Sequence, residues 1–130
     1  MKCLPESPED FMELSSEAWS DMEKTRQVDA SLRVSFDRLY YSCFHAAKAA
    51  LLRLGQEPRT HAGTNSLVGE KLYKENNYLT VEEARTYSKI RTLREQADYE
   101  IEINFNEEEF NELKEKSENI IQKMREVALE

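Results

Sequence analysis

The chain has 130 residues, of which 39% are hydrophobic and 34% charged, with only 3 Gly, 3 Pro and 2 Cys. That length is enough for one domain to bury a core without disulfides or metal, and the scarcity of Gly and Pro favours helices over hairpins. A net charge of -8 argues against a broad, non-specific DNA binder.

The first helix announces itself at Ser7-Pro8-Glu9-Asp10, which reads as N-cap, Pro at the first helical position, then acids in the first turn. Residues 1–7 form an expected tail. Phe11, Leu14, Ala18 and Met22 follow at helical spacing. After a break near Gln27–Ala30 a long helix runs from about Ser31 to Leu54. Its stripe is Leu32, Phe36, Leu39, Tyr40, Cys43, Phe44, Ala47 and Leu51. Gly55 stands where a helix-ending glycine belongs, with Pro58 beyond.

Gln56–Thr64 is a loop or the start of a short third helix capped by Thr60 and continued weakly by Leu67, Lys71 and Leu72. Thr80-Val81-Glu82-Glu83 is a capping box opening a fourth helix, with Ala84, Tyr87, Ile90, Leu93 and Ala97 inward. Ile101 and Ile103 suggest a short extended linker. Asn106-Glu107-Glu108-Glu109 opens the last helix, whose stripe is Phe110, Leu113, Ile120, Ile121, Met124 and Ala128. The expectation is a single all-α domain, an up-and-down bundle of about five helices.

Charge divides unevenly along this order. Residues 1–30 carry 8 acids and 3 bases, residues 31–99 carry 8 acids and 11 bases, and residues 100–130 carry 10 acids and 4 bases. The basic middle leaves room for a local anion-binding surface. No apolar stretch approaches the ~20 residues of a membrane span and no signal-peptide pattern opens the chain, so no membrane association and a cytoplasmic location are expected. Cys3 and Cys43 are not spaced as metal ligands, and the two histidines fall on different elements. Neither a metal nor a cofactor is therefore expected.

Three polar constellations stand out. Tyr40-Tyr41-Ser42-Cys43-Phe44-His45 holds aromatics and a histidine on one helix. Arg38 shares a face with His45, two turns away. Either these residues are core, with His45 hydrogen-bonded inside it, or they wall a site. Arg91, Arg94 and Asp98 share a face of helix four. They are either a surface ion-pair array or guanidinium groups held ready for phosphate. Arg59-Thr60-His61 precedes the third helix, as an anion site or as incidental polar residues. No P-loop, GxGxxG, CxxC pair or HExxH occurs.

Taken in order, Tyr40–Ala49, Arg59–Gly63 and Leu93–Tyr99 resemble the HEPN domain (higher eukaryotes and prokaryotes nucleotide-binding), in its small stand-alone prokaryotic branch, over roughly residues 8–128. The resemblance implies a helical bundle that dimerises and is often paired with a nucleotidyltransferase antitoxin. It also implies, in many members, metal-independent ribonuclease activity from an Arg followed four to six residues later by His. Arg94 aligns with that arginine, but Asp98-Tyr99 stands where the histidine is expected. Arg38 and His45 match the spacing on a helix where the family does not place it.

The expected reading is a dimeric HEPN component that binds a nucleotidyltransferase partner and a nucleotide or RNA. Tyr41, His45, Arg91, Arg94, Asp98 and Tyr99 would line a groove between helices two and four. Arg59 and His61 are further ligand candidates. The arginines would bind phosphate, Asp98 would orient Arg94, and a tyrosine would stack on a base. One alternative is a ribonuclease using Arg94 with His45 or His61. The other is a purely structural helical module whose polar residues satisfy one another.

Overall fold

The computed structural model describes residues 5–28, 32–99 and 106–130, and the side chains of all of these except 97–99. They form five α-helices: α1 (Pro8–Gln27), α2 (Leu32–Arg53), α3 (His61–Leu67), α4 (Val81–Tyr99) and α5 (Glu107–Leu129). The protein is an all-α bundle with no strand among the described residues. The linker expected at Ile101 and Ile103 lies outside them, as does Cys3. Among the described residues no helix is long and apolar enough to cross a membrane.

The helix ends follow their capping chemistry. Asp10 N donates to Ser7 Oγ at 3.1 Å, while Ser7 N and Glu6 N donate to Asp10 Oδ2 at 3.2 and 3.1 Å. These bonds satisfy amides that an α-helix leaves open, and they tie the end of the expected tail to α1. They also hold the Asp10 carboxyl below its usual range. At the far end of α2, Gly55 adopts φ +80°. Gln56 N then donates to Leu51 O at 2.9 Å and Gly55 N to Leu52 O at 3.0 Å. This closes the helix and turns the chain toward α3. At α4, Thr80 N donates to Glu83 Oε1 and Glu83 N to Thr80 Oγ1. Glu83 also accepts from Lys123 Nζ at 2.7 Å, which fastens the start of α4 to α5.

α2 is the centre of the bundle. Besides its apolar stripe it buries Ser35, Ser42, Ala46, Ala49 and Ala50, so it is covered by neighbours nearly all round. α1 runs antiparallel to it, with Ser15 opposite Ser42 and Thr25 opposite Ser35. Ser15 Oγ donates to Ser42 O at 2.7 Å and Ser42 Oγ to Ser15 O at 2.9 Å. Two small side chains satisfying each other's backbone let the helices approach closely. This corrects the expected α1 stripe: the buried residues are Met12, Ser15, Ala18 and Met22, while Phe11 and Leu14 are only partly covered. α5 buries Ser117 in the gap its apolar stripe left, and Ile121 is partly exposed. Cys43 is fully buried, and burial pushes its thiol up to about 12.

The third helix differs most from expectation. It continues past Leu67 as a π-helix over Val68–Glu75. Of the residues expected to continue the helix, Leu72 is buried, Leu67 packs against the core and Lys71 pairs with Glu75, while Thr64 and Val68 join Leu72 on the inward side. A four-residue repeat drifts one way round an α-helix and the other way round the wider π-helix. The two drifts offset, so all three side chains stay on the core side. A search for the 3.6-residue period of an α-helix does not register such a stretch.

Candidate functional site

α2, α3 and α4 bring one aromatic and polar cluster together. Tyr40 and Tyr41 are consecutive on α2, so their side chains diverge by about one hundred degrees round the helix. Tyr40 is fully buried and Tyr41 partly so. α3 begins at His61 because Thr60 caps it, Gly63 N donating to Thr60 Oγ1 at 2.8 Å. A Cβ at Gly63 would lie 2.9 Å from that oxygen, so a larger residue there would make the Thr60 side chain shift. The cap fixes His61 at the first helical position. Its ring stacks on Phe44 with centroids 4.3 Å apart, and its Nδ1 shares a 2.6 Å hydrogen bond with the Tyr40 hydroxyl.

Arg94 approaches from α4. Its guanidinium lies 5.3 Å from the Tyr40 ring centroid and 5.2 Å from that of Tyr41. Nη2 donates to the Tyr41 hydroxyl at 3.0 Å, and Nε is 3.6 Å from Asp37 Oδ1. Asp37 also pairs with Arg38 at 2.6 Å, and Arg38 lies 5.1 Å from the Tyr41 ring. Asp37 thus spans Arg38 of its own helix and Arg94 of α4, and ties the two helices together beside Tyr41. Arg91 is balanced by Glu95 at 3.0 Å.

Burial and these cations set the protonation states. His45 is pushed down to about 4, first by burial, then by Lys48, Arg38 and His61. Its ring lies against Phe11, Tyr41 and Phe44, and its Nδ1 has no hydrogen-bond partner. His61 is likewise held below its ordinary value by burial, then by Arg94, Arg91 and Lys48. Both imidazoles are therefore neutral at pH 7. Burial holds the Tyr40 hydroxyl well above its usual range against the pull of Arg94 and Arg91, so it keeps its proton. Where Tyr40 donates to Nδ1 of His61, the ring proton sits on Nε2.

Of the residues singled out from sequence, Tyr41, His45, His61, Arg91 and Arg94 meet in this one region. His45 reaches Arg94 only through Tyr41, whereas His61 and Arg94 bracket the same two tyrosine rings. Arg59 stands apart, in a groove with Phe11 and Lys48. Asp98 and Tyr99 end α4, and their side chains lie outside the described ones. The carboxylate described on Arg94 is that of Asp37, which the sequence reading did not single out. Its signal was available, since Asp37 and Tyr41 are four apart and present one helical face to α4. Tyr40 was read as core, and its bond to His61 depends on a loop whose path the sequence does not specify.

The comparisons agree with this architecture. A family model described as HEPN domain matches residues 9–127. The chain belongs to the HEPN domain family. A UPF0332 protein of Pyrococcus horikoshii is 39% identical over 66 residues, which is 51% of this chain and 46% of that protein. A UPF0332 protein of Archaeoglobus fulgidus is 42% identical over 62 residues, 48% of each chain. The aligned part of the chain spans about half the length of these curated relatives.

Proposed function

We propose that this HEPN protein binds the phosphate of a nucleotide or of RNA on the α2–α3–α4 face. In this reading Arg94 is the phosphate contact, Tyr41 offers a ring and a hydroxyl beside it, and the protein acts as a dimer with a nucleotidyltransferase partner. The partner and the dimer rest on family membership alone. The phosphate reading rests on one observation: the Arg94 guanidinium lies 5.3 and 5.2 Å from the ring centroids of Tyr40 and Tyr41 and donates to the Tyr41 hydroxyl at 3.0 Å, which fixes its planar fork at the edge of the core. Arg94 is held in place by Tyr41 and Asp37, and a guanidinium oriented in this way suits bidentate contact with a phosphate.

Titration of labelled RNA into wild-type protein and Arg94→Ala, with chelator present, tests the reading. The expected result is about tenfold weaker binding or more in the variant, in line with a charge-assisted bond worth roughly 1.5–3 kcal/mol, at unchanged helicity. Equal binding by the two proteins sinks it and favours the purely structural module.

A second reading has its own support. His61 is neutral, is oriented by Tyr40, and shares the tyrosine pair with Arg94. A neutral imidazole can accept the proton of an attacking RNA 2′-hydroxyl while a guanidinium balances charge on the phosphate. This ribonuclease reading expects cleavage in chelator that is lost in both Arg94→Ala and His61→Gln. Intact RNA after prolonged incubation excludes it and leaves binding.

A further inference from the structure

Tyr40 is fully buried. A hydroxyl so placed must give its proton to an acceptor inside the protein. Among the described residues the acceptor it meets is Nδ1 of His61, at 2.6 Å. Arg94 and Arg91 beside it are donors only, and Glu95 is taken up by Arg91.

The direction of this bond fixes the imidazole. With Nδ1 accepting, the single ring proton of neutral His61 sits on Nε2. The opposite tautomer would aim Nδ1–H at the Tyr40 oxygen and leave the hydroxyl proton without an acceptor in the core. Stacking on Phe44 and the Thr60 cap hold the ring in place. His61 is half-buried, and its Nε2 takes no partner among the described residues and is not sealed from solvent.

A neutral imidazole in this state is a donor. Its Nε2 has no free lone pair for the proton of a 2′-hydroxyl, but it can give a hydrogen bond to an anionic oxygen. That donor stands beside the proposed phosphate contact. The His61 ring centroid lies 5.7 Å from that of Tyr40 and 6.0 Å from that of Tyr41. Arg94 rests on the same two rings, at 5.3 and 5.2 Å.

We infer that His61 is the second phosphate contact of this face, giving Nε2–H to an anionic oxygen of the phosphate ester at Arg94, and that Tyr40 is its positioning residue. The inference rests on the phosphate reading of Arg94. Held in this tautomer, His61 serves binding and not deprotonation of a 2′-hydroxyl.

The test uses the whole chain, isotope-labelled at its histidines, at pH 7. The probes are uridine monophosphate and a 2′-O-methyl oligouridylate, which cannot be cleaved. Proton–nitrogen spectra of the wild type are expected to show His61 with a bare Nδ1 and a protonated Nε2, its signals assigned by their loss in His61→Phe. Saturation with either probe should shift the Nε2 signal and leave Nδ1 bare. His61→Phe keeps a ring on Phe44 without the N–H. It should bind both probes about tenfold more weakly, the scale of one hydrogen bond to a charged group, at unchanged helicity. Tyr40→Phe removes the donor to Nδ1, so the second tautomer should appear and the two nitrogen signals should draw together. A merely structural role of Tyr40 would not move them.

A protonated Nδ1 in the wild type overturns the inference, and unchanged nitrogen signals in Tyr40→Phe overturn the positioning role. Binding that leaves the Nε2 signal and the affinity of His61→Phe unchanged overturns the contact, while the Arg94 reading stands if Arg94→Ala still binds more weakly. No binding of either probe by wild type overturns both. The tautomer and the ligand-induced shift are read on the wild type, so they decide the matter even where a variant fails to fold.

Discussion

The α1–α5 side and the α2–α4 face solve opposite problems with the same element. α1 and α5 carry apolar stripes inward and a dense run of acids outward, and their polar inward atoms are serines, of which Ser15 is satisfied locally against Ser42. The α2–α4 face instead sets arginines, histidines and tyrosines against one another at the edge of the core. On the first side most buried places follow from hydropathy, with Ser15 and Ser117 as the exceptions. On the second, Arg94 is held by Tyr41 and Asp37, and Tyr40 by His61, each a residue from another helix. The first region therefore governs stability, and the second governs what the surface can bind.

Removing a core anchor from the first region should give the largest effect. Phe110→Ala deletes a fully buried ring on α5 and should cost about 3–5 kcal/mol, read by chemical denaturation. A loss below about 1 kcal/mol, the level of a typical surface change, would mean that α5 is not an integral wall of the bundle.

The same deletion test on the second region should separate stability from binding. Arg94→Lys keeps the charge and loses the planar fork, so it should lower phosphate affinity several-fold while stability changes by about 1 kcal/mol or less. Full affinity in the lysine variant would show that a point charge suffices and that the tyrosine stack does not orient the ligand.

Acid should strike the second region first. His45 is held near 4 in the fold and titrates near 6.5 when unfolded. The unfolded chain therefore binds the extra proton between those values. The stability contribution of neutral His45 is complete above about 6.5 and is lost as pH falls toward 4. The denaturation midpoint should drop across that window, and His45→Gln should flatten the drop. An equal slope in the variant would assign acid sensitivity to other groups.

The smallest effect lies where the regions join. Thr80→Ala removes one half of the capping box on α4 and should cost about 1 kcal/mol. Because Glu83 also holds Lys123, a double-mutant cycle with Lys123→Met should show coupling between cap and tether. Strict additivity would mean that the two bonds act independently.

Much of the fold was legible because helix ends carry local chemistry. Ser7 with Asp10, Thr60, Thr80 with Glu83, and Asn106 each place a side-chain oxygen where an open amide needs it, and Gly55 supplies the left-handed turn. The π-helical stretch was not legible, since its inward residues recur every fourth position, a spacing that drifts off one face of a regular α-helix. The cluster was half legible. Tyr41, His45, His61, Arg91 and Arg94 are unusual residues in regular helices, so they drew notice one by one. Which of them touch depends on how α3 and α4 lie against α2, and that geometry is set by packing far from the cluster. Asp37 and Lys48 looked like ordinary helix-surface charges until α1 and α4 covered their flanks.

Cys43 gives the central helix a clock. Its thiol is sealed in the core and pushed up to about 12, and only thiolate attacks an alkylating reagent. In a Cys3→Ser background, the labelling rate of Cys43 in native buffer times the opening of α2, the one helix on which both halves of the molecule depend. A ligand that bridges α2 and α4 should slow that clock in proportion to its saturation of the protein.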